Sequence, residues 1–304
     1  MKNTIIAVVI ILLVGAGIGW YAGWFGNEPT TAPEQSGAPS APEPSGKAEE
    51  QPGEPTEQEE TDVIGKSAEG ADITKYHYGS GENELLFVGG MHGGYSWNTA
   101  LLAFELIDYL EANPDVIPKN ITVTVIPVMN PDGLKRVVGT TGRFTKADVK
   151  GNTVPGRFNG NDVDLNRNFD CNWKKSAIWR NTPVNAGSGP FSEPETQALR
   201  DYIEARDISA AIFWYSSAGG VYESRCNGTV LPETKTLLNT FANASGYPAS
   251  GYFTAYAITG DSADWLSKIG IPAISVILDT HDQVEWEKNR KGIEALLKFY
   301  ATSS

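Results

Sequence analysis

Basic residues are scarce in this sequence, with 24 Lys and Arg against 37 Asp and Glu and a net charge of −13. Much of the acidic excess lies in residues 27–62, which carry ten acidic residues and one lysine. Residues 63–304 are therefore only mildly acidic, which argues against a nucleic acid partner. No internal repeat is visible.

Charged residues are absent from residues 4–25, which are almost wholly apolar. Roughly 20 apolar residues suffice to cross a bilayer, so we predict that residues 1–26 form a transmembrane anchor. A cleaved signal peptide is the alternative, because small residues follow the apolar core. Cysteine is also absent here, so a lipoprotein anchor is not supported. Lys2 precedes the span and an acidic segment follows it, which predicts that the folded part lies outside the cytoplasm.

Aromatic residues are absent from residues 27–62, which contain seven prolines. Such a segment has almost nothing to bury and cannot offset the entropy of ordering. We predict a disordered linker over residues 27–62 and a single folded domain over residues 63–304.

Short apolar runs alternate with helix-periodic segments in the folded domain. Strands are predicted at residues 73–78, 85–88, 121–128, 210–215 and 271–278. Helices are predicted at residues 98–112, 192–206, 232–245, 264–269 and 284–300, with Ser192 and Glu195 forming a capping box. This pattern is typical of an α/β fold with a mostly parallel mixed sheet and helices on both faces.

Polar residues follow several of these strands, at the sheet edge where open α/β folds bind ligands. His92 follows the strand at residues 85–88, and the sequence NPDG follows residues 121–128. The sequence YSSAGG ends the strand at residues 210–215, and residues 156–173 form a polar loop.

Five motifs resemble the zinc carboxypeptidase (M14) family over essentially all of residues 70–300. They are GGMHGG (89–94), NPDG (130–133), DLNRNF (164–169), YAITGDSADW (256–265) and GIPAISV (270–276). In that family a zinc ion held by two His and one Glu activates a water, and a second Glu acts as base and then acid. The resemblance implies this zinc carboxypeptidase-like fold here.

The resemblance implies that the family's carboxylate-binding residues are present. Asn166 and Arg167 match its Asn–Arg pair, and Tyr256 matches its substrate-binding Tyr. Arg157 lies where the family often has an Arg that stabilises the oxyanion. An Arg fork suits bidentate pairing with a carboxylate, although a structural ion pair within the loop is the alternative for Arg167.

The same resemblance implies that the family's metal and base positions have lost their chemistry. His92 matches the first zinc ligand, but Tyr95 and Ser96 occupy the positions expected for the ligand Glu. Tyr215 stands at the second His and Ile277 at the catalytic Glu. One His does not make a catalytic zinc site, which needs three protein ligands. We therefore expect no cofactor.

Asp279 is a candidate substitute carboxylate, because it lies two residues beyond Ile277 and side chains two apart on a strand share a face. With His281 nearby, it would rebuild a site around His92, and zinc would then be the cofactor.

Cys171 and Cys226 are the only two cysteines. Outside the cytoplasm an even count favours one disulfide. Two separate buried thiols are the alternative.

Three functional hypotheses follow. The first is a membrane-anchored, extracytoplasmic pseudoenzyme that binds peptides or cell-wall peptides through their C-terminal carboxylate. The second is an active zinc carboxypeptidase with unorthodox ligands, and the third is a structural or partner-binding domain.

Overall fold

The structure, a computed structural model, describes residues 60–302. The predicted transmembrane segment of residues 1–26 and the linker up to residue 59 lie outside this range. Within residues 60–302, none of the helices has the length and apolar character needed to cross a membrane.

Strands and helices alternate along the described chain. The strands are β1 (Glu60–Lys66), β2 (Asp72–Tyr78), β3 (Asn83–Val88), β4 (Ile121–Ile126), β5 (Ser176–Trp179), β6 (Thr182–Asn185), β7 (Ile208–Ser216), β8 (Gly220–Glu223), β9 (Ala249–Ser250) and β10 (Ala273–Leu278). The α-helices are α1 (Trp97–Ala112), α2 (Pro131–Val138), α3 (Pro194–Glu204), α4 (Pro232–Ser245), α5 (Ser262–Lys268) and α6 (Trp286–Thr302).

The main sheet has the strand order β1-β2-β4-β3-β7-β10-β8-β9. Its centre is parallel, since β3 pairs in parallel with β4 and β7, and β7 pairs in parallel with β10. Antiparallel pairs flank this centre on both sides. The parallel strands therefore bring the residues that follow β3, β7 and β10 to one edge of the sheet.

Helices cover both faces of the sheet, which is why its central strands are continuously apolar. In β3, Leu85 and Phe87 pack in one core with residues of α1, α4 and α6. Leu86 and Val88 point the other way, into a second core with residues of α3 and α5. The predicted α/β architecture with a mixed sheet and helices on both faces is confirmed.

Some predicted boundaries were wrong. Residues 60–62 were assigned to the linker, but they belong to β1, which pairs with β2. Ser192 does not cap α3, because its hydroxyl donates to Glu193 and accepts from Asn168. The β5–β6 hairpin was not predicted, since no element was assigned between the polar loop at residues 156–173 and the helix that begins at residue 192.

Candidate functional site

A cleft of about 380 Å³ opens where β3, β7 and β10 end. Residues that follow or end these strands line it, and so do residues of the loops at 157–167 and 252–264. Trp179 and Arg180 of the β5–β6 hairpin form part of its wall. The cleft lies where open α/β sheets are expected to bind ligands.

His92 enters the cleft from a tight turn between β3 and α1. The turn requires glycine at residue 93, which has φ of +40° and whose added Cβ would lie 2.7 Å from the Gly156 carbonyl oxygen. The imidazole of His92 is buried, and its one polar contact within residues 60–302 is the approach of Nε2 to Oδ1 of Asp164 at 3.4 Å. Burial, and then the charge of Arg157, lower its pKa to about 4, so the ring is neutral at pH 7.

The residues at the other expected ligand positions are neutral. The hydroxyl of Tyr95 accepts a hydrogen bond of 3.3 Å from Arg180, and the buried hydroxyl of Ser96 has no partner. The hydroxyl of Tyr215 donates to Asn166 at 3.1 Å and shares a bond of 2.8 Å with Ser262. Burial, and then the carboxylate of Asp261, raise the pKa of Tyr215 well above its ordinary value.

These side chains do not fit a catalytic zinc ion. Such an ion needs three nitrogen, sulfur or carboxylate ligands, and here His92 is the single imidazole among neutral hydroxyls. In residues 60–302 there is no group of three or more His, Cys, Asp or Glu arranged to hold a metal ion. Ile277, at the position expected for the base, lines the cleft as a half-buried apolar side chain.

Arg157 and Asp164 form a buried ion pair beside His92. The Nε and Nη2 atoms of Arg157 lie 2.9 and 2.8 Å from Oδ2 of Asp164, and both side chains are almost fully buried. Burial raises the pKa of Asp164, but Arg157 and His92 outweigh it and hold the pKa well below its ordinary value. The guanidinium also lies 4.4 Å from the ring of Trp179.

Asn166 is fully engaged within the protein. Its Nδ2 donates to Asp261 at 2.6 Å, and its Oδ1 accepts from the hydroxyl of Tyr215 and from Ser262. Its amide therefore has little capacity left for a ligand. The structure gives Asn166 a role in holding the cleft wall together.

Arg167 is buried and donates from all three guanidinium nitrogens to backbone carbonyls. Nε and Nη2 bond the carbonyl of Ile178, and Nη1 bonds that of Asn166. The half-buried ring of Tyr256 lies 5.9 Å from the guanidinium carbon. These bonds use three of its five N–H groups, which leaves two.

The structure does not bring Asp279 to the cleft, and the expectation that it shares the face of Ile277 was wrong. Strand β10 ends at Leu278, so the alternation of side chains stops before Asp279. Asp279 is exposed and pairs with Lys288 at 2.6 Å. His281 lies behind Tyr95, at 4.6 Å between ring centroids, and its Nδ1 bonds Ser216.

Two acidic residues of the cleft were missed by the sequence reasoning, although both lie in the YAITGDSADW motif. Asp261 caps α5 by accepting from the N–H groups of residues 263 and 264. Asp264 accepts from Tyr252 and from the backbone of Arg225. Burial, and then the carboxylate of Asp261, raise the pKa of Asp264 to about 7.

Cys171 and Cys226 form a disulfide, which confirms the sequence prediction. It links the end of the DLNRNF loop to the segment after β8. The bridge thus joins two parts of the chain, 55 residues apart, that both lead into the cleft.

Similar proteins agree with these observations. The family model described as zinc carboxypeptidase (Peptidase_M14) matches residues 57–283. Carboxypeptidase O from Bos taurus is 30% identical over 185 residues, which cover 55% of this chain and 48% of that protein. Metallocarboxypeptidase A from Arthroderma otae is 26% identical over 254 residues, or 72% of this chain and 57% of that protein. The chain thus spans about half the length of these relatives.

Solved structures show the same fold. Carboxypeptidase A from Helicoverpa armigera aligns with a TM-score of 0.61 and 21% identity, over 80% of this chain and 67% of that one. Murein-tripeptide amidase MpaA from Escherichia coli O157 aligns with a TM-score of 0.55 and 22% identity, over 80% and 94%. With its fold, its motifs and the match to residues 57–283, this chain belongs to the zinc carboxypeptidase (peptidase M14) family.

Proposed function

We propose that this protein is a peptidase M14 family member without peptidase activity, which binds peptides through their free C-terminal carboxylate. The proposal rests on the contrast, within one cleft, between residues that suit a carboxylate and the apolar residue at the position of the base. Arg157, Arg167 and Arg180 line it together with Tyr256, whereas an apolar Ile277 stands where the base is expected. Without a base, proton transfer worth roughly 10²–10⁴-fold in rate is lost.

The cleft is well suited to an anionic end of a peptide. Arg guanidinium groups pair with carboxylates through parallel hydrogen bonds, which gives orientation as well as affinity. Arg167 has two N–H groups left beside Tyr256, and Arg180 is an exposed cation at the rim. The aromatic rings of Phe253 and Tyr256, 5.0 Å apart, offer an apolar surface for the terminal side chain.

We further propose that residues 1–26 anchor the protein in a membrane with the folded domain outside the cytoplasm. Peptides of that compartment, cell-wall peptides included, are then its partners. The support is the uncharged apolar run and the acidic segment that follows it. Detergent, but neither salt nor alkali, should release the full-length protein from membranes. Release by salt alone would contradict the anchor.

Isothermal titration of the full-length protein with pairs of short peptides tests the binding proposal. Each pair has one sequence, once with a free C-terminal carboxylate and once with a C-terminal amide. We expect the acid to bind at least about tenfold more tightly, a difference of about 1.4 kcal/mol. Equal affinity for acid and amide would overturn the proposal, as would peptide hydrolysis that a chelator abolishes.

Two variants and a control test whether Arg167 and Tyr256 bind the C-terminal carboxylate of the peptide. Arg167→Lys keeps the charge but loses the planar fork, and Tyr256→Phe removes only a hydroxyl. Both should weaken binding of the acid and leave binding of the amide unchanged. Arg143→Ala is the matched control, because Arg143 pairs with Asp108 outside the cleft.

A further inference from the structure

Asn–Gly pairs occur twice in the sequence, at residues 159–160 and 227–228. An asparagine followed by glycine is prone to close a succinimide ring, because glycine has no side chain that would hinder the approach of its backbone nitrogen to the asparagine side chain. The fold places these two identical pairs in opposite environments, so they can be compared directly.

The pair at residues 227–228 occupies the centre of a tight turn that directly follows Cys226. The φ angles of Asn227 and Gly228 are +53° and +80°. The N–H of Thr229 closes the turn by donating to the carbonyl oxygen of Cys226 at 3.0 Å. Positive φ at both central residues is typical of a type I′ turn, which favours Asn–Gly. The bond that closes the turn does not use the N–H of Gly228.

This turn is open to water. Asn227, Gly228 and Thr229 are all exposed. Within the described part of the chain, no heavy atom lies within 4 Å of the position that a Cβ on Gly228 would take. The side-chain amide of Asn227 and the backbone nitrogen of Gly228 are therefore accessible both to solvent and to each other.

The pair at residues 159–160 is held in place by hydrogen bonds. Asn159 is fully buried, and its Nδ2 donates to Glu193 and Glu195 at 2.8 and 3.0 Å. Its Oδ1 accepts from two backbone N–H groups. The N–H of Gly160 donates to Asp132 at 3.2 Å. Ring closure at Asn159 would break these buried bonds, each of which is costly to leave unmade.

We propose that Asn227 is a site of spontaneous deamidation. The backbone nitrogen of Gly228 loses its proton to solvent hydroxide and attacks Cγ of Asn227, which forms an N–C bond. The bond between Cγ and Nδ2 breaks, and Nδ2 leaves as ammonia. Water then opens the succinimide ring at either of its carbonyl carbons, which gives aspartate or isoaspartate. The net change is asparagine plus water to aspartate or isoaspartate plus ammonia.

The modification changes both the charge and the shape of the turn. It adds a carboxylate next to Cys226, which is bridged to Cys171. Isoaspartate also lengthens the main chain by a methylene group, so the bond from Thr229 to Cys226 cannot keep its geometry. Among the described residues that line the cleft, Asn227 is not included. The modification is therefore independent of the proposed binding of peptides.

Incubation of the full-length protein at mildly alkaline pH tests the proposal. Peptide mapping by mass spectrometry measures the fraction of aspartate and isoaspartate at residues 159 and 227 over time. We expect conversion at Asn227 to be at least about tenfold faster than at Asn159. The same protein in denaturant is the control, and there both residues should convert at comparable rates. No conversion at Asn227 in the folded protein, or equal rates at both residues, would overturn the proposal.

A variant assigns the new charge to this turn. Asn227→Gly removes the amide and keeps a residue that accepts a positive φ. Isoelectric focusing should show an acidic form that accumulates in the parent and is absent from the variant. An acidic form of equal amount in both proteins would arise elsewhere in the chain and would overturn the assignment. Peptide acids and amides play no part in these measurements, so this proposal and the proposed function fail in different experiments.

Discussion

Two segments of the cleft use their polar side chains differently. In the loop of residues 164–169, Asp164, Asn166 and Arg167 are buried and bonded within the protein. In the turn of residues 89–96, His92 and Ser96 are equally buried, but within residues 60–302 the hydroxyl of Ser96 has no hydrogen-bond partner and His92 has only a long contact of 3.4 Å with Asp164. The polar groups of the loop stabilise the fold through hydrogen bonds, whereas those of the turn contribute few such bonds.

The largest expected effect is the removal of Asp164. Asp164→Ala leaves Arg157 as an uncompensated buried charge, so we expect the free energy of unfolding to fall by about 3–5 kcal/mol. Denaturant unfolding monitored by tryptophan fluorescence measures it. Asp162→Asn is the control, because Asp162 is exposed, Asn tolerates its positive φ of 56°, and the change should alter stability by less than about 1 kcal/mol. A similar loss in both variants would mean that the buried pair has no special role.

A direct test of this comparison replaces one residue in the loop of residues 164–169 and one in the turn of residues 89–96. Asn166→Leu removes the buried hydrogen bonds of Asn166 with Asp261 and with Tyr215, and it should cost about 2–3 kcal/mol. His92→Leu removes only the 3.4 Å contact of Nε2 with Asp164, and it should cost less than about 1 kcal/mol. Thermal and denaturant unfolding of the two variants should therefore differ clearly. If His92→Leu were the more damaging change, the two segments would not differ as described.

The smallest effect concerns pH and the carboxyl group of Asp264. Its pKa is raised to about 7 in the folded protein, so the folded state holds this proton more tightly than the unfolded chain. The stabilisation is complete below the ordinary pKa of 3.8 and is lost as pH rises through about 7. We expect the loss to be on the order of 2 kcal/mol.

The comparison of Asp264→Asn with the parent isolates this group from others that titrate. The parent should lose more stability than the variant between pH 4 and pH 7, in denaturant unfolding measured at several pH values. Parallel stability curves for the two proteins would show that Asp264 does not titrate in this range.

Much of the fold could be predicted because its signals are local. Apolar runs at residues 85–88 and 271–276 identified buried strands, and the intervening periodic segments identified helices. The β5–β6 hairpin was not predicted because its strands are only four residues long and few of their side chains, such as Ala177 and Val184, are buried. The error at Asp279 arose because strand alternation was extended one residue beyond the end of β10.

The sequence by itself determined the family, the pair of cysteines and the residues at the positions of the family's metal ligands. These depend on residue types and spacing, which are read directly. Only the tertiary structure decided which polar groups are used and which are free. Asn166 meets Asp261 across 95 residues, and Arg157 and His92 both contact Asp164. Hydrogen bonds between distant segments depend on distances and angles that no local pattern contains, so their presence or absence appears only once the chain is folded.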